Sequence, residues 1–194
     1  MGEYNALFAA EVFDFATGVA LVQKRGQLMS QAQGGAMAAI VGLPAADVAS
    51  ILANPEHAAV SIANYNSYTQ IVISGLKEAV LSMQPIFEKA GATYIPLKVS
   101  GAFHSSYMSQ AEQQFAGYLR QFSFSTPSIA VIANVNALPY QSSALQMNLI
   151  NQVTHPVLWV QSMEYLLGQG EATFEEVGPG SVLMGLMKRI QKKL

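Results

Sequence analysis

The chain has 194 residues, of which 51% are hydrophobic and only 11% are charged, and its formal net charge is −2. This length is enough for the core of one domain, and the charge gives no electrostatic reason to expect a nucleic acid partner. No apolar run reaches the roughly 18 residues that a membrane span needs, and no signal peptide opens the sequence, so we expect a cytoplasmic protein without a membrane partner. Because cysteine is absent and the three histidines are scattered, we expect neither disulfides nor a metal site.

The N-terminal region, residues 1–34, is predicted to be helical. Asp14 is a suitable N-cap for a helix over residues 15–32, whose apolar residues recur at i+3 and i+4 steps. Arg25 lies beside this apolar stripe. The pattern leaves two interpretations open: the guanidinium reaches water from a buried stem, or it is held in a crevice to bind a carboxylate or phosphate.

The next region, residues 35–98, alternates short strands with helices. The pattern predicts a turn at the polar run Asn64, Tyr65, Asn66 and Ser67. The predicted strands are residues 36–41, 58–63, 70–74 and 93–99, and the predicted helices are residues 43–52 and 75–90. This β-α-β-β-α-β order predicts a ferredoxin-like subdomain, inserted into a larger body.

The larger body is expected to combine residues 1–34 with residues 99–194. The sequence predicts helices at residues 108–122, 142–153, 157–167 and 181–193, and strands at residues 129–133 and 172–177. Strands that alternate with helices favour a parallel α/β layer. The expected fold class is therefore α/β, with a ferredoxin-like subdomain inserted into the body.

His104 is the best candidate for chemistry among the histidines. It follows Gly101 in a predicted strand-to-helix loop, where an imidazole is placed either for acid–base work or for a structural hydrogen bond to the backbone. We assign no role to His57 or His155. Residues 178–181 (GPGS) resemble a phosphate-binding loop, but they lack the lysine and spacing of a P-loop, which favours a simple turn. No complete G-x-S-x-G element is present.

Taken together, several motifs resemble those of a known family. They are, in chain order, residues 1–7 (MGEYNAL), 21–29 (LVQKRGQLM), 64–67 (NYNS), 70–75 (QIVISG), 101–105 (GAFHS) and 176–180 (EVGPG). The chain resembles the malonyl-CoA:acyl-carrier-protein transacylases of fatty-acid synthesis and the acyltransferase domains of polyketide synthases. The resemblance implies an α/β-hydrolase-like acyltransferase body, of which this chain would be the C-terminal two-thirds.

The resemblance also implies a reaction. The family moves malonyl from malonyl-CoA to the phosphopantetheine thiol of an acyl carrier protein, in two steps through a seryl ester and without a cofactor beyond the coenzyme A thioester. Its nucleophile elbow reads G-H-S-x-G-E-Y, and Met1, Gly2, Glu3 and Tyr4 match its last four positions. The serine is therefore expected immediately before Met1, and the isolated chain is expected to be inactive.

Three catalytic roles follow from the family motifs. The resemblance makes His104 the general base and acid, and makes Asn134 the residue whose backbone carbonyl orients the His104 imidazole. It makes the backbone N–H of Met1 one donor of the oxyanion hole, although a free terminal amine would be a poor replacement for a fixed amide.

The substrate-binding roles follow in the same way. Arg25 matches the arginine that pairs with the malonyl carboxylate, and Met29, one turn later, would line the acyl pocket. Phe103, directly before His104, matches the pattern that polyketide acyltransferases show when they select malonyl rather than branched extender units. Asn66 lies in the predicted polar turn, which either approaches the substrate carboxylate or is a plain turn.

Two alternatives stay open at the level of sequence. One is an acyl hydrolase of polyketide assembly, which Arg25 argues against because an uncharged acyl chain has no use for a cation. The other is a catalytically silent body that binds a carrier protein. The expected partners are malonyl-CoA and an acyl carrier protein.

Overall fold

The computed structural model describes residues 1–99, 101–171 and 173–192. Its helices are α1 (Gly2–Ala9), α2 (Phe15–Ser30), α3 (Ala45–Leu52), α4 (Lys77–Ser82), α5 (Gln84–Lys89), α6 (Ser109–Leu119), α7 (Leu145–Asn151), α8 (Trp159–Gly168) and α9 (Val182–Gln191). Its strands are β1 (Gly35–Val41), β2 (Val60–Ser67), β3 (Gln70–Leu76) and β4 (Thr93–Pro96).

The four strands form the predicted ferredoxin-like subdomain. Their order in the sheet is β2-β3-β1-β4, and every neighbouring pair is antiparallel. Alternation along β1 places Ala38 and Ile40 on the face that packs against Val80 and Phe87 of the subdomain's helices. The predicted subdomain is confirmed.

The opposite face of the same sheet is also covered. Met37 and Ala39 of β1 pack there with Val72 of β3, and Phe103 packs against this cluster from outside the subdomain. Both faces of β1 are therefore buried, which explains its continuous apolar sequence. This second face brings the sheet against the segment that carries His104.

The polar run from Asn64 to Ser67 is not a turn, as the sequence predicted, but the second half of β2. It remains extended because the strand finds partners on both sides. Tyr65 N–H donates to the Val157 carbonyl over 2.9 Å, and Val157 N–H donates to the Ala63 carbonyl over 2.8 Å. The predicted helix over residues 75–90 is likewise two helices, α4 and α5, which meet at Met83 just before Pro85.

The larger core joins both ends of the chain. Leu7 of α1 and Leu21 of α2 are fully buried against Phe115 of α6 and Leu149 of α7. The predicted N-cap of α2 is confirmed, because the Asp14 carboxylate accepts a hydrogen bond of 2.7 Å from Thr17 N–H. A smaller cluster packs α8 and α9 together and includes Tyr65 of β2 and Tyr68 of the turn that follows it.

The strands predicted for this body are wrong for the residues that the structure describes. In segment 129–133, Ala133 N–H donates to the Leu138 carbonyl and Tyr140 N–H donates to the Val131 carbonyl, so a local turn uses the hydrogen-bonding groups. Only one bridge, between Ile132 and Pro139, is formed. Of the other predicted strand, Ala172 lies outside the described residues, and residues 173–177 are irregular. A strand needs a partner, and hydrophobicity alone does not supply one.

Candidate active site

A cavity of about 460 Å³ lies between α2, the sheet and the segment that carries His104. Four residues that the sequence predicted for the site line it together: Arg25, Met29, Phe103 and His104. Other residues that line the cavity are Gly26, Ser30, Met37 and Asn64. Residues distant in sequence therefore meet at one concave place, as a binding site requires.

The backbone presents His104 in an uncommon conformation. Its φ of 59° lies in the left-handed region, which non-glycine residues rarely adopt. The preceding turn is held by the Ser105 hydroxyl, which donates a hydrogen bond of 2.6 Å to the Ala102 carbonyl. Strained backbone of this kind persists where the surrounding structure imposes it, and it concentrates at functional sites.

Backbone carbonyls fix the tautomer of His104. Its Nδ1 lies 3.1 Å from the His155 carbonyl oxygen, and the backbone carbonyl of Gln152 is close enough to the imidazole to raise its pKa. Because a carbonyl can only accept, Nδ1 carries the proton in the neutral ring. Nε2 is then the nitrogen with a free lone pair, as a general base needs.

The surroundings also keep this imidazole neutral. Burial, and then the positive charge of Arg25, lower the pKa of His104 to about 4. At neutral pH the ring therefore holds no extra proton and is ready to take one. This is the protonation state that a general base requires before the reaction begins.

The structure corrects the orienting group that the sequence suggested. The Asn134 carbonyl accepts a hydrogen bond of 2.9 Å from Leu158 N–H, whereas the carbonyls at the His104 imidazole belong to His155 and Gln152. The Asn134 side chain donates to the Glu3 carboxylate instead. A backbone carbonyl carries no sequence signal, because every residue type has one.

Arg25 is half-buried at the wall of the cavity. No described residue accepts a hydrogen bond from its buried Nε. A buried guanidinium N–H without a partner is costly, and a bound carboxylate would satisfy it. Of the two interpretations that the sequence left open, the cavity position favours the anion-binding one.

Met1 stands at the start of α1, where its carbonyl accepts a hydrogen bond of 2.9 Å from Tyr4 N–H. Burial, followed by the charge of Arg25, lowers the pKa of its amino group. The charge of that amino group in turn lowers the pKa of His104. Its role as an oxyanion-hole donor stays a prediction.

The structure places Asn64, not the predicted Asn66, at the cavity. Along β2 the pairing shifts between Ile62 and Asn64 and again between Tyr65 and Ser67. Asn66 is therefore the extra residue of a bulge. Each such insertion reverses the side-chain alternation, which the sequence pattern did not reveal.

Two other sequence features have clear outcomes. The N-terminus of α9, which follows the loop of residues 178–181, is already occupied by the Glu176 carboxylate, which accepts from Leu183 N–H at 3.2 Å and from Met184 N–H at 3.0 Å. His155 contributes its backbone carbonyl to His104, while its ring Nδ1 contacts Thr154 Oγ1.

Sequence reasoning missed Glu3 and Gln152 as members of the site. Glu3 is only 8% exposed and accepts hydrogen bonds from Gln152 Nε2 at 2.6 Å and from Tyr140 Oη at 2.5 Å. The available signal was a carboxylate three residues before an apolar run on a buried helix. Charged residues are rarely buried without partners, so a carboxylate at position 3 predicts hydrogen-bond donors around it.

Among residues 1–99, 101–171 and 173–192, no cluster of at least three His, Cys, Asp or Glu residues is arranged to hold a metal ion. None of the helices described there is long and apolar enough to cross a membrane.

The comparison with known proteins agrees with the geometry of the site. Residues 1–193 match the model of the acyl transferase domain family. The chain is 51% identical to the polyketide biosynthesis malonyl CoA-acyl carrier protein transacylase BaeC of Bacillus velezensis, over 100% of this chain and 68% of BaeC. It is 50% identical to PksC of Bacillus subtilis, which carries the same description, over 99% of this chain and 67% of PksC.

Solved structures give the same result. A malonyl CoA-acyl carrier protein transacylase from Burkholderia pseudomallei superposes with a TM-score of 0.95 at 41% identity, over 100% of this chain and 68% of that one. A second match, with a TM-score of 0.93 at 37% identity, is a malonyl-transacylase in complex with a type II polyketide acyl-carrier protein, and this chain covers 63% of its length. The chain thus spans about two thirds of the length of these transacylases.

Proposed function

We propose that this chain, which belongs to the acyl transferase domain family, moves a malonyl group from malonyl-CoA to the thiol of an acyl carrier protein. One observation carries the proposal: a neutral imidazole, His104, and a half-buried cation, Arg25, face the same cavity. The first suits proton transfer from a nucleophile, and the second suits the free carboxylate of a malonyl group.

In the proposed reaction, the nucleophile is the serine that the G-H-S-x-G-E-Y pattern places before Met1. Its oxygen attacks the thioester carbon of malonyl-CoA while Nε2 of His104 takes its proton. The C–S bond then breaks, the proton passes to the departing thiolate, and malonyl remains as a seryl ester. The carrier-protein thiol reverses these steps, giving its proton to His104 and releasing the serine.

Arg25 would hold the malonyl carboxylate during both half-reactions. A bidentate pair with a carboxylate fixes the direction of the substrate as well as binding it. Met29 and Phe103 form apolar parts of the same cavity wall. No metal or prosthetic group takes part in the proposed chemistry, and we place the reaction in the cytoplasm.

The experiment uses the complete product of the reading frame that encodes this chain, called the full-length protein below. It is incubated with malonyl-CoA and analysed by mass spectrometry, and a malonyl adduct on a serine, transferable to an acyl carrier protein, is expected. The chain of residues 1–194 alone is expected to form no such adduct. A full-length protein that hydrolyses acyl-CoA without transferring malonyl would support the hydrolase alternative instead.

Arg25→Ala tests the substrate class in the same assay. Loss of a charged hydrogen-bonded pair should lower kcat/KM for malonyl-CoA by roughly 10- to 150-fold, while acetyl-CoA is accepted at least as well as before. Lys24→Ala is the matched control, because Lys24 lies over the Tyr118 ring and outside the cavity. An unchanged malonyl-to-acetyl ratio in Arg25→Ala would remove the carboxylate-binding role.

A further inference from the structure

Glu3 lies at the centre of a buried polar network. Its Oε1 accepts hydrogen bonds from Tyr140 Oη at 2.5 Å and from Asn134 N–H at 3.3 Å. Its Oε2 accepts from Gln152 Nε2 at 2.6 Å and from the Asn134 side-chain amide. Three residues far away in sequence therefore converge on one carboxylate in the first turn of α1.

The partners of Glu3 indicate its ionisation state. The backbone N–H of Asn134 and the amide groups of Asn134 and Gln152 can only donate at these contacts, so both oxygens of Glu3 must accept. Burial raises the pKa of the Glu3 carboxyl, while the hydrogen bonds from Tyr140, Asn134 and Gln152 oppose that rise. A carboxylate, rather than a carboxylic acid, satisfies every donor.

Two sets of contacts connect this network with the surroundings of the candidate base, His104. Gln152 is bound to Glu3 through its side chain, and its backbone carbonyl is close enough to the His104 imidazole to raise its pKa. Asn134 is also bound to Glu3, and its carbonyl accepts from Leu158 N–H at 2.9 Å.

Glu3 therefore fixes both ends of one segment, residues 152–158. That segment supplies the His155 carbonyl, which lies 3.1 Å from Nδ1 of His104, and the Gln152 carbonyl, which raises the pKa of the ring. The same carboxylate belongs to α1, whose N-cap Met1 lies beside the position of the proposed nucleophile. One side chain thus connects the nucleophile's helix with the segment that orients the base.

We propose that Glu3 is a positioning residue for His104, acting through Gln152 and the segment 152–158. Its carboxylate fixes the direction in which Nε2 of His104 points relative to the first turn of α1. This inference rests on the proposed acyl transfer, in which His104 takes the proton of the nucleophile.

The test is Glu3→Gln in the full-length protein. Glutamine keeps the shape but places an NH₂ group against donors, so the contacts to Gln152 and Asn134 cannot all persist. A misplaced base costs about 100-fold in rate, and we expect a loss of kcat of about that size with little change in KM for malonyl-CoA. The chemical shifts of the His104 ring nitrogens, measured by NMR, are expected to change as the Nδ1 hydrogen bond is altered.

Two further variants separate positioning from general stability. Gln152→Met removes the side-chain bond that joins the segment 152–158 to Glu3 but leaves the Glu3 carboxylate in place, and it should reproduce the NMR change. The double variant should then show little additional loss of kcat, because both substitutions break the same link. Tyr140→Phe removes a different bond to Glu3, so it should change the His104 shifts less than either.

The ring-nitrogen shifts decide the outcome. Unchanged His104 shifts in a folded Glu3→Gln protein, even with reduced activity, would overturn the positioning role. If Glu3→Gln does not fold, Gln152→Met gives the deciding measurement in the same way. Because the shifts do not depend on turnover, a full-length protein that transfers no malonyl would refute the proposed function without deciding the role of Glu3.

Discussion

Arg25 and His104 face one cavity, and the guanidinium of Arg25 lowers the pKa of the His104 imidazole. The cation that we assign to the substrate carboxylate therefore also holds the base neutral before substrate binds. When a carboxylate pairs with Arg25, its negative charge offsets part of this effect and makes His104 more basic. Substrate binding and base strength are coupled through the distance between these two side chains.

The first prediction follows from this pair. Arg25→Ala should raise the pKa of His104, because it removes a positive charge that disfavours the imidazolium ion. The pKa is measured by NMR titration of the His104 ring in the full-length protein. The control is Lys24→Ala, because Lys24 is on the same helix but lies over the Tyr118 ring. This variant should leave the pKa of His104 unchanged. Equal pKa values in the wild type and Arg25→Ala would contradict the coupling.

The sequence predicted the subdomain well because its signals are local. Short apolar runs separated by helices and turns predicted the four strands and their β-α-β-β-α-β order along the chain, and β1 is apolar on both faces because both faces are covered. Asp14 marked the start of α2 because an N-cap requires only its own first turn. Arg25 and His104 were identified through motifs in which the residue type itself carries the chemistry.

The errors share a different physical origin. Segment 129–133 is apolar enough for a strand, but its hydrogen bonds close a local turn with Leu138 and Tyr140. Asn66 was chosen over Asn64 because bulges in β2 are invisible in composition. Asn134 was given a contact that the Gln152 and His155 carbonyls make. Each of these depends on which distant backbone groups meet in the folded chain.

The second prediction concerns stability at acid pH. The pKa of His104 is lowered from 6.5 to about 4 in the folded protein. Between these values the unfolded chain takes up a proton that the folded chain does not, so this contribution to stability is present above pH 6.5 and is lost as pH falls through about 4. His104→Gln should remove that part of the pH dependence.

The measurement is chemical denaturation of the wild type and His104→Gln at several pH values between 4 and 7. His57→Gln is the control, because the His57 ring is bonded to the Ile51 carbonyl on the surface of the subdomain, away from the cavity. Parallel stability curves for the wild type and His104→Gln would show that the imidazole is not held neutral by the fold.

The third prediction uses two glycines with opposite surroundings. A Cβ at Gly35 would lie 2.1 Å from the backbone nitrogen of Ala102, so Gly35→Ala must displace the segment leading to His104 and should destabilise the protein. At Gly117, on the exposed side of α6, a Cβ meets nothing within 4 Å. Gly117→Ala should therefore stabilise the protein by about 0.5–1 kcal/mol through helix propensity.

Thermal and urea unfolding of both variants provide the measurement, and malonyl-adduct formation reports on the site. Gly35→Ala is expected to lose activity together with stability, whereas Gly117→Ala should keep its activity. A Gly35→Ala protein as stable as the wild type would mean that the contact between β1 and residue 102 is not maintained in solution.

The last prediction concerns the acyl group. Phe103 lines the cavity beside Met29 and Met37 and packs against the sheet, so its ring limits the space next to the malonyl α-carbon in the proposed site. Phe103→Ser should raise the ratio of kcat/KM for methylmalonyl-CoA to that for malonyl-CoA by roughly 10-fold or more, since one methyl group in a tight pocket is worth about 1–3 kcal/mol. Competition between the two thioesters, followed by mass spectrometry of the acyl-enzyme, measures that ratio directly.

The matched control is Phe8→Ser, because Phe8 is an exposed phenylalanine that does not line this cavity. If both variants keep the wild-type ratio, Phe103 does not set the size of the acyl pocket and the selecting residue must be another part of the wall.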